Sequence, residues 1–150
     1  MKGYASKEMR RFNYLIVETD AVYHEAALKL GLSDSALQIL YTVCDYDGGD
    51  ACPLQEISRL TGISKQTINS AIRKLEKEGM IYLEQTGTRG KRLCLTQEGK
   101  RLAEGTVVKL IEAENDILSA WPREDVDKYL ELTEKFLRAL REKTENLRVT

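Results

Sequence analysis

Ile57-Ser58-Arg59-Leu60-Thr61-Gly62-Ile63-Ser64-Lys65-Gln66-Thr67-Ile68-Asn69-Ser70-Ala71-Ile72 carries a helical pattern that breaks for three residues and then resumes. Before the break, Leu54, Ile57 and Leu60 recur at three-residue steps, and Pro53 suits the first turn of the helix they define. After it, Ile68, Ala71, Ile72 and Leu75 form the buried face of a second helix, which Gly79 ends. Gly62 supplies the positive φ of a tight interhelical turn, Ile63 fills the angle between the helices, and Ser64 caps the free amides of the second.

Downstream the period changes from helical to alternating. Ile81 and Leu83 share one face of a strand, Thr86-Gly87-Thr88-Arg89-Gly90 reads as a turn, and Leu93 and Leu95 share one face of a return strand. A β-hairpin directly after a helix-turn-helix predicts a winged helix-turn-helix, mainly α with a small β-hairpin wing. Upstream, Met9, Phe12, Ile16, Thr19, Tyr23, Ala26, Ala27 and Leu30 predict an amphipathic helix over about residues 7–30, ended by Gly31. Ser33 is the expected cap of the next helix, with Leu37, Leu40, Val43 and Cys44 on its apolar face. Beyond the hairpin, Thr96 opens one long helix carrying Leu102, Val107, Leu110, Ile111, Ile117, Leu118 and Trp121, stopped by Pro122. A last helix over about 123–147 repeats Val126, Tyr129, Leu130, Thr133, Phe136, Leu137, Leu140 and Leu147.

Bulk properties agree with one folded unit. The 150 residues are 42% hydrophobic and 31% charged, with only 2 Pro and 10 Gly, so a core is affordable and no stretch reads as a disordered linker. No apolar run approaches the roughly 18 residues of a membrane span. Met1 to Lys7 lack the basic-then-apolar order of a signal peptide, so a cytoplasmic protein is expected.

Net charge is −1, yet its distribution is uneven. Residues 64–101 hold nine Lys or Arg against four Glu, a balance of +5, which leaves −6 for the rest. Such concentration is what binding to phosphate requires. An α-helix fits the DNA major groove, and the exposed face of the second motif helix offers Lys65, Gln66, Asn69, Ser70 and Arg73. Gln66 and Asn69 suit adenine and Arg73 suits guanine, whereas Ser64, Lys65 and Thr67 are natural phosphate ligands. Arg89, Lys91 and Arg92 on the hairpin suit a minor groove or the phosphates beside it.

These segments together resemble the MarR family of bacterial transcription regulators. The residues that carry the resemblance are Gly31-Leu32-Ser33 with Leu37-Gln38-Ile39-Leu40, the run from Ile57 to Ile68, Leu75-Glu76-Lys77-Glu78-Gly79-Met80-Ile81, and Leu95-Thr96-Gln97-Glu98-Gly99. The resemblance implies a homodimer in which the first and last helices of two subunits intertwine. It also implies a pseudo-palindromic double-stranded DNA operator, and a small phenolic or aromatic effector held between the dimer region and the DNA-binding lobes. A single domain over 1–150 is expected, with dimerisation helices at about 7–30 and 106–150 flanking a lobe at about 33–101. Met9, Phe12, Ile16, Val126, Tyr129, Leu130, Phe136, Leu137 and Leu140 are the candidate dimer contacts, since their stripes exceed what a small lobe covers. The expected role is a repressor relieved by its effector. A winged-helix module that binds protein and not DNA is the alternative.

Two positions depart from the family pattern. Gly87 stands where an Asp usually precedes the wing Arg by two residues, which leaves Arg89 without that brace, and Cys52 stands where a Ser or Thr cap is expected before the third helix. The family's peroxide sensors use a Cys near the start of the first helix, and this chain has none there. Cys44, Cys52 and Cys94 show no CxxC spacing, and one His24 with Glu18, Asp20 and Glu25 nearby is a thin metal site, so no cofactor or metal is expected. Cys44 and Cys94 read as buried, inert thiols. Tyr14, Tyr23, Tyr46, Tyr82, Tyr129 and Trp121 are candidate walls for an aromatic effector, with packing the stronger reading for Tyr23, Tyr129 and Trp121. No nucleophile–base pair, phosphate loop or paired-carboxylate motif is present, so an enzyme is not expected.

Overall fold

A computed structural model describes residues 3–88 and 90–149. The order of elements is α1 (Lys7–Lys29), α2 (Asp34–Asp45), β1 (Ala51–Pro53), α3 (Leu54–Thr61), α4 (Lys65–Lys77), β2 (Ile81–Thr86), β3 (Gly90–Leu95), α5 (Gln97–Gly105), α6 (Val107–Ser119) and α7 (Arg123–Thr144). The chain divides into two compact units, Met1–Lys109 and Leu110–Thr150.

In the first unit, side-chain oxygens open each of the main helices. Ser6 accepts from the Met9 amide, Ser33 from Ala36, Ser64 from Thr67 and Thr96 from Gly99, which satisfies amides that the helix itself leaves without partners. Gly31, at φ +72°, closes α1, as its sequence position predicts. The core is built on α2, whose Ile39, Leu40 and Val43 are wholly buried with Cys52, Ile57, Leu93 and Val107.

The sheet has three antiparallel strands in the order β1-β3-β2. The expected hairpin is present, with Ile81 opposite Leu95 and Leu83 opposite Leu93, and its ladder extends to Thr86 opposite Gly90, the two ends of the segment read as a turn. The third strand, β1, is an addition to the sequence reading. It pairs Ala51 with Cys94, Cys52 with Leu93 and Pro53 with Arg92. Cys52 is therefore a buried strand residue and not a weak helix cap. Pro53 ends the strand and precedes α3 with no side-chain cap, instead of occupying the first helical turn.

The predicted long helix after Thr96 is two helices. Thr106 departs from helical geometry at φ −128° and ψ −90°, and its hydroxyl donates to the Leu102 carbonyl at 2.6 Å. Thr19, Thr42 and Thr133 make the same back-bond inside unbroken helices, so the break lies in the Thr106 backbone, next to Gly105, and not in its hydroxyl.

The second unit starts within α6 and contains α7. Pro122 ends the connection, and the Trp121 and Tyr129 rings pack with centroids 5.6 Å apart at 52°. Glu124 and Asp125 in the first turn of α7, with Arg141 and Lys143 in its last, complement the helix dipole. The helix stops at Thr144, so Leu147 lies beyond it and not on its stripe. No residue of α7 is buried.

Candidate nucleic-acid interface

The α3–α4 turn is built from three side-chain and backbone devices. Gly62 adopts φ +68° and its amide donates to the Ser58 carbonyl at 3.1 Å. Thr61 donates its hydroxyl to the Ile57 carbonyl at 2.7 Å and accepts the Ile63 amide at 3.2 Å. Ser64 accepts the Thr67 amide at 3.2 Å and lies 2.9 Å, hydroxyl to hydroxyl, from Thr67. Ile63 is half-buried between the two helices, as its position in the turn predicts.

One face of α4 buries Ile68, Ala71, Ile72 and Leu75, which leaves Lys65, Gln66, Thr67, Asn69, Ser70 and Arg73 all exposed. Gln66, Asn69, Ser70 and Arg73 follow at steps of three and four, so they form a single stripe. No Asp or Glu occurs between Ser64 and Leu75. Arg73 lies along this stripe, its Nε donating to the Asn69 carbonyl at 3.4 Å. Ser64 is the one candidate whose hydroxyl is already spent locally, on the cap and on Thr67.

On the wing, Gly87 sits in the turn at φ +66°, and Arg89 lies outside the described residues. Lys91 and Arg92 are placed in β3 and not at the hairpin tip. Lys91 is exposed opposite Gln85. Arg92 faces Glu84, to which its Nη2 donates at 2.7 Å, and that bond holds the guanidinium yet more firmly protonated.

Sequence reasoning missed the first turn of α2. A groove of about 380 Å³ is lined by Asp34, Ser35 and Gln38 of α2 with Ile63 and Thr67, so α2 adds polar groups beside the start of α4. The signal was legible: Gln38 is the single exposed residue in the run from Ala36 to Leu40. Asp34 is also held by α1, since His24 Nδ1 lies 2.9 Å from both of its carboxylate oxygens. None of the aromatic residues proposed for an effector lines this groove.

Cys94 is buried and Cys44 half-buried. Burial pushes the Cys52 thiol up to about 11, helped by the charge of Glu56, and pushes Cys44 upward too, helped by Asp50. Among the described residues no three His, Cys, Asp or Glu side chains gather as a metal site needs, and no helix is long and apolar enough to cross a membrane.

Comparison with known proteins bears on the same region. A model of the MarR family matches residues 30–92. No curated protein matches the chain. Among solved structures it is similar to AbsC, a MarR family transcriptional regulator from Streptomyces coelicolor, at 14% identity and a TM-score of 0.70 over 93% of this chain and 98% of that one. A MarR protein from Peptoclostridium difficile is similar at 22% identity and TM-score 0.68, covering 99% and 96%. S. aureus MepR in complex with DNA is similar at 19% and 0.68, covering 91% and 99%. At these identities the likeness is one of fold: mostly helical, with a winged helix-turn-helix and a small antiparallel sheet.

Proposed function

We propose, from the match of residues 30–92 to a model of the MarR family, that this chain is a member of that family and a sequence-specific duplex-DNA-binding transcription regulator, a homodimeric repressor relieved by a small aromatic or phenolic effector. The observation that carries the reading is the α4 stripe. Gln66, Asn69 and Arg73 form an exposed row with no Asp or Glu between Ser64 and Leu75, on a helix whose opposite face is buried in the core. That combination of rigid backing and outward hydrogen-bonding groups is what base readout in a major groove needs. The S. aureus MepR complex, of the same fold, holds DNA, which supports the same reading.

In this reading Gln66, Asn69, Ser70 and Arg73 meet base edges, and Lys65, Thr67, Lys91 and Arg92 meet phosphates, to which the sequence adds Arg89. Ser64 acts through Thr67, because its hydroxyl is committed to that residue. Ser35 and Gln38, across the groove from Thr67, extend the phosphate contacts to α2.

Dimerisation rests on apolar surface. Tyr129, Leu130, Phe136, Leu137 and Leu140 of α7 are each between 40% and 53% exposed, and Phe12 and Ile16 of α1 are exposed as well. Met9 and Val126 are half-buried beside them on the same helices. Surface of this kind favours a second copy as cover. Two α4 helices about 34–36 Å apart would then read a pseudo-palindrome. The protein acts in the cytoplasm as a binding protein and not an enzyme.

Titration of the full chain with random duplex at low and high salt, followed by selection from a random pool, tests the proposal. Steep salt dependence and recovery of a palindromic sequence are expected. Salt-independent or undetectable binding overturns it in favour of a protein-binding module.

A further inference from the structure

An acidic residue sits on the wing among the cations assigned to DNA. Glu84 and Arg92 are opposite one another in the β2–β3 ladder, and their side chains are joined at 2.7 Å while remaining 42% and 44% exposed. Glu84 is itself tethered: Oε1 takes the Arg92 bond, and Oε2 receives the thiol of buried Cys94 at 3.9 Å. The carboxylate is thus held by β3 at two positions of the same strand face, the exposed Arg92 and the buried Cys94.

For a protein that binds phosphates, a carboxylate here has an electrostatic cost, since it repels the backbone and offsets one cation. An isolated surface ion pair returns little stability for that cost. What the pair does supply is order. A long, rotamer-rich Arg is confined to one orientation, and a guanidinium has five N–H donors, so engaging Nη2 leaves the fork pointed in a defined direction.

We propose that Glu84 is a positioning residue for duplex binding, fixing Arg92 so that its guanidinium meets a DNA phosphate in a preset orientation. Arg92, in the strand, is then an ordered cation of the wing. This inference rests on the reading of the chain as a duplex-binding regulator.

Charge and order predict opposite signs for one substitution, which makes the proposal testable. Binding is measured by the full chain to the duplex that the wild type selects from a random pool. If Glu84 merely neutralises Arg92, Glu84→Ala binds more tightly than wild type. If it positions Arg92, Glu84→Ala binds about two- to tenfold more weakly, the cost of ordering one long side chain on binding. Glu84→Gln keeps an acceptor for Arg92 without the charge and is expected to restore binding to wild-type strength or better. In the Arg92→Ala background Glu84 has nothing left to position and only its charge acts, so Glu84→Ala is expected to bind as tightly as that background or more tightly.

Tighter or unchanged binding by Glu84→Ala overturns the positioning role, as does an equal loss with and without Arg92. Either result leaves the DNA reading standing. Failure of the wild type to select any duplex overturns both together.

Discussion

Gly99, in the first turn of α5, lies so close to Met80 that a Cβ built on it would stand 1.9 Å from the Met80 carbonyl oxygen. The same carbonyl accepts the Thr96 amide at 3.0 Å, while Thr96 donates its hydroxyl to the Gly79 carbonyl at 2.6 Å. The start of α5 is thereby stapled to the end of α4, and the intervening hairpin is held at its base. Gly99→Ala must push backbone from backbone, so a loss of at least about 3 kcal/mol is expected. Gly62→Ala meets no atom within 4 Å and pays only for its left-handed backbone, about 1–2 kcal/mol. Denaturant midpoints of the two variants check the order, and an equal cost would refute the close-packing account.

Arg73→Ala is expected to relax preference at one base pair per half-site and to cost about 1–3 kcal/mol, the discrimination of a bidentate contact. Lys65→Ala should weaken every sequence alike and reduce the salt slope by about one. Competition between the selected duplex and single-base variants separates the two. Unchanged affinity and preference in Arg73→Ala would exclude α4 as the reader.

Cys52 makes a statement about alkaline stability. Its proton is held to about 11 in the folded chain, against 9.0 ordinarily, because burial disfavours the thiolate. Between these values the folded state binds more protons than the unfolded state, so stability present below 9.0 is lost as pH rises toward about 11. Denaturant midpoints across that window should fall less steeply in Cys52→Ala than in wild type. At neutral pH, alkylation of Cys52 should require unfolding.

Removal of residues 123–150 takes away α7 and with it one of the chain's exposed apolar stripes. Sedimentation of the remaining chain should show a monomer or an unfolded chain, with operator affinity greatly weakened because two half-sites are no longer bound together. An intact protein that sediments as a monomer at micromolar concentration would remove both the dimer and the palindrome.

Much of this was legible in the sequence. The helix-turn-helix declared itself because Gly62 and Ser64 have few roles other than turn and cap, and because Ile68, Ala71, Ile72 and Leu75 keep a strict helical period. β1 was hidden, since three residues are too few to show alternation and Pro53 resembles a helix start. The break at Thr106 was hidden for the opposite reason: the apolar stripe runs through it, and only the backbone angles of Thr106 show that the ladder is interrupted. At the interface, the α4 stripe could be read residue by residue, because a helix fixes neighbours by spacing alone. The Glu84–Arg92 pair could not, because it depends on a cross-strand register that the turn determines.

α7 has 22 residues and buries none of them. Most helical stability in proteins comes from packing an apolar face, so whatever covers its stripe also helps to keep it helical. If the cover is a second copy, shape becomes a function of abundance: dilution below the dimer constant would unwind the helix as well as separate the subunits. The cell would then hold a threshold instead of a graded response, with few copies leaving the operator empty and a modest rise in synthesis filling it.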